Sequence, residues 1–89
     1  MTQPVSVAEA RAFLRVTDDA EDGLIGLMIE AAAQRIAAVV SVAVDADAPA
    51  AVRLAVMRLV AHAYEQRESG EPPMGLVEAW IAPWRAVRL

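Results

Sequence analysis

Apolar residues recur at the spacing of an amphipathic helix in two long stretches, and this pattern constrains the fold more than any other sequence feature. The first stretch carries Leu24, Ile25, Met28, Ile29, Ala32, Ile36 and Val40. The second carries Val52, Ala55, Val56, Leu59, Val60, Ala63 and Tyr64. Residues three and four positions apart lie on one face of a helix, so each stretch predicts a helix with an inward face. Together they predict an antiparallel helix pair.

Capping signals mark where the first two helices begin. Ser6 is followed three residues later by Glu9, the spacing of a capping box, which predicts a short first helix over 7–15. We expect its inner face to consist of Ala10, Phe13 and Leu14. Asp18 and Glu21 repeat the box-like spacing before the second helix, in an acidic run that favours a helix N-terminus. The periodicity supports the second helix to about residue 40.

Prolines and glycine divide the second half of the chain. Residues 41–44 are compatible with a helix end, a loop or a short strand. Asp47 is a candidate cap, and Pro49 suits the first turn of a third helix that runs to about Glu68. The run 69–73, Ser-Gly-Glu-Pro-Pro, breaks the chain. A short fourth helix is predicted over 74–82, where Pro83 stops it.

These elements predict an all-α fold. It is a small bundle of about four helices: two long antiparallel helices, plus short first and fourth helices. We assign residues 1–83 to one helical domain and residues 84–89 to an extended C-terminal docking tail.

The apolar content of the chain exceeds what so small a domain can bury. The 89 residues are 57% apolar, and their mean hydropathy is +0.37. A chain of this length forms one modest core, so the surplus needs a cover, and another copy of the same chain is the simplest one. A membrane span is not expected, because Glu30, Gln34 and Arg35 interrupt the densest apolar stretch, 24–44. No signal peptide is recognisable, so we expect the protein to remain in the cytoplasm.

The composition offers little for catalysis or metal binding. The chain has no cysteine, and His62 is its only histidine. No nucleophile has a convincing base, and the acids of 18–22 lack the spacing and glycine of a calcium loop. We therefore predict no enzymatic activity, no catalytic, cofactor-binding or metal-binding residues, and no cofactor. The net charge of −4 argues against nucleic-acid binding as the main task.

Two places favour a protein interface instead. At the end of the third helix Tyr64 and Glu68 share a face, and Arg67 suits a helix C-terminus; a core-capping tyrosine with solvated charges is the structural alternative. Near the C-terminus, large aromatic and arginine side chains of the kind that anchor interfaces alternate with apolar ones. The candidate interface residues are Tyr64, Arg67, Glu68, Trp80, Trp84, Arg85, Val87, Arg88 and Leu89. Alternatively, the two tryptophans close the core.

Several of these motifs, in this order, resemble the head–tail connector (adaptor) proteins of tailed bacteriophages. The opening of the chain carries the first set: Ser6-Val7-Ala8-Glu9-Ala10, Phe13-Leu14-Arg15-Val16, Asp18-Asp19-Ala20-Glu21-Asp22 and Leu24-Ile25. The second is Tyr64-Glu65-Gln66-Arg67-Glu68, similar to the family's Tyr-Glu-x-Arg-Glu signature. The third is Pro83-Trp84-Arg85 with Val87-Arg88-Leu89, similar to its terminal Pro-Tyr-Arg-x-Val-Arg-Leu pattern. The chain departs from the family at Trp84, where tyrosine is commoner, and at Ala37-Ala38 and Ser41-Val42, where a glutamate and a Thr-Gly turn are usual.

The resemblance implies a structural subunit of a homo-oligomeric ring, twelve-fold in the virion, beneath the portal of a phage or a gene transfer agent. The ring extends the DNA channel and receives the stopper or tail-completion protein, and it touches passing DNA without sequence-specific binding. The implied location is the particle neck, after assembly in the bacterial cytoplasm, with no role for a membrane. A small helical DNA-binding or regulatory module is the alternative, and it requires a basic recognition helix.

Overall fold

The computed structural model describes residues 3–66, 70 and 72–86. Three helices form its body: α1 (Val7–Leu14), α2 (Asp22–Ala37) and α3 (Ala50–Glu65). Two 3-10 turns, Met74–Leu76 and Ala82–Trp84, flank a single-turn helix α4 (Glu78–Ile81). The predicted all-α bundle of about four helices is confirmed, with α2 and α3 as its two long members.

The first helix begins as the sequence predicts. The Ser6 hydroxyl accepts from the Glu9 backbone N–H at 3.0 Å, and the Glu9 carboxylate accepts from the Ser6 N–H at 2.9 Å. That second hydrogen bond stabilises the charged carboxylate and lowers the pKa of Glu9 below its ordinary value. The helix ends at Arg15, whose backbone is left-handed with φ 60°.

The predicted caps of the two long helices are wrong. Asp18 accepts from the N–H of Ala20, two residues on, at 3.1 Å, and α2 begins after Glu21 with no side-chain cap. Aspartate readily closes such a local turn, which competes with capping. Likewise an Asp45 oxygen accepts from the Asp47 N–H at 2.9 Å, and α3 begins after Pro49.

The core lies between α2 and α3, with α1 and α4 packed against it. Its largest fully buried side chains include Ile25, Ile29, Ile36, Val52, Val56, Leu59, Val60, Val77 and Ile81. Two predicted core residues lie elsewhere: Phe13 is 45% exposed and Leu24 is 37% exposed. The strip of α2 through Ile25, Ile29, Ala32 and Ile36 already spans the width that faces α3, so Leu24 falls beyond its edge.

The fourth helix is more broken than predicted. Instead of one helix over 74–82, the chain makes a 3-10 turn, α4 and another 3-10 turn, with a break at Val77 (φ −122°). Pro83 lies inside the last 3-10 turn rather than after the helix. Proline removes an N–H donor and clashes with the preceding turn, so a segment this short cannot continue as α-helix.

The loop between α2 and α3 begins earlier than expected. Regular α2 ends at Ala37 rather than near residue 40, and Val40 instead forms an isolated antiparallel bridge with Arg85. Beyond this bridge, residues 41–49 form a loop. No helix among the described residues is both long and apolar enough to cross a membrane.

Candidate interaction surface

The last described residues lie alongside the end of α2. The N–H of Ser41 donates to the carbonyl of Trp84 at 2.8 Å, and the N–H of Ala86 donates to the carbonyl of Val39 at 2.8 Å. The Ser41 hydroxyl also donates to the Trp84 carbonyl at 3.2 Å. These bonds fix the start of the predicted tail, residues 84–86, on the chain's own domain.

The two tryptophans have different environments. Trp84 is partly buried and packs against the core, whereas Trp80 is 40% exposed. Beside them the Arg85 guanidinium donates to both carboxylate oxygens of Glu78. This exposed pair contributes little to stability, but it orients the arginine. Trp80 and Arg85 therefore present an aromatic and a cationic group on one short segment.

The predicted interface residues at the end of α3 separate into two groups. The hydroxyl of Tyr64 donates to a carboxylate oxygen of Glu21 at 2.5 Å, so this tyrosine joins the end of α3 to the start of α2. Arg67 and Glu68 lie outside the described residues. Val87, Arg88 and Leu89, the last three of the predicted tail, also lie outside them.

The third helix does not present the basic face that a DNA-recognition helix requires. The guanidinium of Arg53 donates to the Pro4 carbonyl at 2.8 Å and to the Glu9 carboxylate at 3.1 Å. Arg53 thereby holds the N-terminal segment and α1 against α3. Over the described part of α3, Arg58 is the remaining arginine, and a single exposed cation neutralises too few phosphates for useful affinity.

Three large apolar side chains on α1 and α2 are exposed, and the sequence did not identify them as candidate surface residues. They are Phe13 on α1 at 45% exposure, and Leu24 and Leu27 on α2 at 37% and 65%. Leu27 is not among the residues predicted to face inward. Its position on the side of α2 opposite Ile25 and Ile29 could have predicted that it is exposed. The apolar surplus of the sequence is thus partly exposed on these helices.

The domain has a small apolar cavity. Its volume is about 140 Å³. It lies between α2 and α3 and is lined by Met28, Ala31, Ala32, Arg35, Leu59, Ala63 and Pro72. The Arg35 guanidinium donates to the Pro72 carbonyl at 2.5 Å and so closes one end of the cavity.

The described residues contain no cluster of three histidine, aspartate or glutamate side chains that could hold a metal ion. His62, the only imidazole of the chain, is partly buried on α3. Its neighbours around a shallow depression are Arg58, Ala61, Glu65 and Leu76. None of these lining residues carries a hydroxyl or a thiol.

Comparison with known proteins gave one family. The sequence model of that family, described as phage gp6-like head-tail connector protein, matches residues 4–72. The match spans α1, α2 and α3 and ends before α4. Neither the curated proteins nor the solved structures that were compared with the chain gave a match.

Proposed function

We propose, on the premise that this chain belongs to the phage gp6-like head-tail connector proteins, that it is a structural subunit of a ring beneath the portal. The particle is a tailed phage or a related gene transfer agent. The observation that carries the proposal is the family match over residues 4–72, which covers most of the chain. In this role the protein joins head to tail and catalyses no reaction.

The surface of the domain supports a role in assembly. Phe13, Leu24, Leu27 and Trp80 remain exposed on a domain that buries many other apolar side chains. Large aromatic and aliphatic groups of this kind are the usual anchors of protein interfaces. The partners we propose are other copies of the chain, the portal protein and a stopper or tail-completion protein.

The charge of the protein suits a channel through which DNA passes. Its net charge of −4 disfavours tight binding of a polyanion. Arg11 and Arg53, which would otherwise attract phosphate, form ion pairs with Asp22 and Glu9. We accordingly propose that the ring extends the DNA channel and touches the passing DNA without reading its sequence. The proposed location is the neck of the particle, after assembly in the bacterial cytoplasm.

The test is reconstitution with the portal protein encoded in the same genome. Purified portal rings are imaged by electron microscopy with and without this protein. The expected result is a new ring-shaped density, coaxial with the portal, that appears only when the protein is added. Portal particles that gain no density, at concentrations where both proteins are soluble and folded, would contradict the proposal. The Trp80→Ser variant, whose side chain is largely outside the core, tests whether the C-terminal segment faces the portal.

A further inference from the structure

We infer that Phe13 of one copy inserts into the cavity between α2 and α3 of a second copy. The inference rests on the proposed function, because it assigns the contact between neighbouring subunits of the ring. It depends on the size of the cavity, the position of Phe13, and the charges beside each.

The cavity has the size and lining that a phenyl ring needs. Its volume of about 140 Å³ is close to the roughly 150 Å³ of an apolar protein cavity that binds benzene. Apart from Arg35 its lining is apolar, with Met28 and Leu59 on opposite walls and Ala31 at its exposed edge. Among the exposed large apolar side chains, Phe13 carries the single benzene-sized ring.

Phe13 cannot reach this cavity within its own copy, because the two lie on opposite sides of α2. The Val7 side chain of α1 lies beside Gly26, and Arg11 pairs with Asp22 at 2.9 Å. The cavity lies on the side of Met28, which projects about 160° away from Gly26 at 3.6 residues per turn. A partly exposed phenyl ring on one side and a cavity of matching size on the other can meet only between copies.

The charges beside the two features are complementary. Asp18 and Asp19, in the connection that follows α1, are both exposed. Arg35 closes the cavity, and among the described residues no carboxylate forms an ion pair with it. In the inferred contact, Asp18 and Asp19 of the first copy lie near Arg35 of the second copy. Opposite charges at the edge of an apolar contact favour the correct register.

This contact has the symmetry that a ring requires. A patch that pairs with itself closes a two-fold dimer and leaves nothing for a third copy. Here each copy presents the phenyl group of Phe13 on one side and the cavity on the other, so every added copy exposes a new, unfilled cavity. Such a heterologous contact continues until the rotation between copies closes the ring.

Paired variants test the inference on the portal-bound protein and on the protein alone. Phe13→Ser removes the ring, and Ala31→Glu blocks the cavity and places an acid one turn before Arg35. Both positions are exposed, so both variants should fold, which circular dichroism checks. Ala12→Ser and Gln34→Glu are the matched controls, at exposed neighbours on the same helices. We expect each test variant to lose the ring density on the portal and each control to keep it.

Mixing the two test variants separates this contact from a self-pairing one. Each variant retains one intact half. At a protein concentration high enough to populate a weak contact, a mixture should therefore form single pairs of one Phe13→Ser copy and one Ala31→Glu copy, and nothing larger. Analytical ultracentrifugation after chemical cross-linking detects these pairs. If the mixture gives no more pairs than either variant alone, the two surfaces do not meet each other and the inference fails.

The absence of native cysteine permits a direct measurement of proximity. A Phe13→Cys copy and an Ala31→Cys copy should be joined by a short bifunctional thiol cross-linker. Phe13→Cys with Ala37→Cys should not, because Ala37 is exposed on another face of α2. A single chain that carries both substitutions, F13C/A31C, should give a ladder of cross-linked oligomers on the portal. Equal cross-linking of the control pair would overturn the inference, and so would cross-linking of position 13 to the portal instead of to a second copy.

The outcomes also separate this inference from the proposed function. If the wild-type protein adds a ring to the portal and the Phe13→Ser and Ala31→Glu variants do so equally, the function stands and the contact is wrong. If the wild-type protein adds nothing to the portal, the proposed function fails, and the contact loses its basis with it.

Discussion

Truncation of the C-terminus at two points should separate folding from docking. A chain that ends at Ala86 lacks residues 87–89 but keeps every described contact of the tail. A chain that ends at Pro83 also loses residues 84–86, and with them the pairing to the end of α2. The shorter deletion therefore serves as the matched control for the longer one.

The structure gives the stability cost of the longer deletion. It removes the two backbone hydrogen bonds of Trp84 and Ala86, each 2.8 Å long and each contributing about 1 kcal/mol net. It also exposes the surface that partly buried Trp84 covers, which contributes a further 1–2 kcal/mol or so. The exposed pair between Arg85 and Glu78 adds little. The total loss is about 2–4 kcal/mol.

A loss of this size should weaken the fold without abolishing it. A domain of 89 residues has a stability of roughly 4–13 kcal/mol. At an m-value of about 1.5 kcal/mol/M, the loss lowers the urea midpoint by roughly 2 M. Urea titration followed by far-ultraviolet circular dichroism measures this shift. The dichroism signal reports helix content and does not depend on the tryptophan that is removed. The chain that ends at Ala86 keeps both hydrogen bonds, so its urea midpoint should be higher than that of the chain that ends at Pro83.

Binding to the portal then reports on the tail as a docking element. We expect both truncated chains to fold and neither to add a ring to the portal, because residues 84–89 are proposed to dock on the portal or on a neighbouring subunit. If the chain that ends at Pro83 does not fold at all, the tail is part of the core. If the chain that ends at Ala86 still joins the portal, residues 87–89 are not needed for docking.

Three further predictions concern the domain itself. Ile29→Ala should cost about 2–5 kcal/mol in urea unfolding because the side chain is 1% exposed, whereas Leu27→Ala, at 65% exposure, should cost less than about 0.5 kcal/mol; similar losses would refute the described packing of α2. Tyr64→Phe should lower the unfolding free energy by about 1.5–3 kcal/mol through loss of the hydrogen bond to the Glu21 carboxylate, and an unchanged midpoint would mean that this bond contributes nothing. The folded-state pKa of Glu9 is lowered, so its contribution to the free energy of unfolding is present above the ordinary glutamate pKa of about 4.3 and is lost as the pH falls through the folded-state pKa. Glu9→Gln should therefore make the free energy of unfolding depend less on pH below about pH 4. An unchanged pH dependence in that range would contradict this.

Local signals in the sequence predicted the helical body. The Ser6 and Glu9 pair forms the expected capping box because both partners lie within one helical turn. The inward face of α3 was predicted at Val52, Ala55 and Val56 because a helix of that length repeats its apolar positions often enough to define a direction. Such features depend on neighbours a few residues apart, so the sequence contains them directly.

Contacts between distant segments were not predicted. Val40 pairs with Arg85 although the two are far apart in sequence, and no local pattern marks either as the other's partner. Likewise, Asp18 and Asp47 have the composition of helix caps. The Asp18 side chain instead accepts from Ala20 in a local turn, and Asp47 lies two residues before Pro49, after which α3 begins. Each choice depends on a balance of about 1 kcal/mol between local hydrogen bonds, which residue type alone does not decide.

The exposed apolar residues show why composition identified a surplus but not its place. Leu24 and Ile25 are adjacent and equally apolar, yet one is 37% exposed and the other is fully buried. Helical periodicity defines a strip, and its edges depend on how closely the neighbouring helix approaches. On α1 the same uncertainty placed Phe13 in the core, whereas the structure leaves it half outside.

The size of the inferred contact predicts when assembly occurs. Burial of one phenyl ring contributes about 1.5–3 kcal/mol, whereas bringing two free proteins together costs an estimated 4–15 kcal/mol of translational and rotational freedom. Contacts around Phe13 alone therefore leave free copies largely monomeric in dilute solution. Copies that are bound side by side on a portal have already lost this freedom, so their effective concentration is high. The same contact is then strong enough to favour binding of the next subunit. Sedimentation should accordingly show mostly monomer without the portal. With the portal it should show complete protein rings and few partial ones. Stable free protein rings at micromolar concentration would mean that the contact between subunits is far larger than one phenyl group in one cavity.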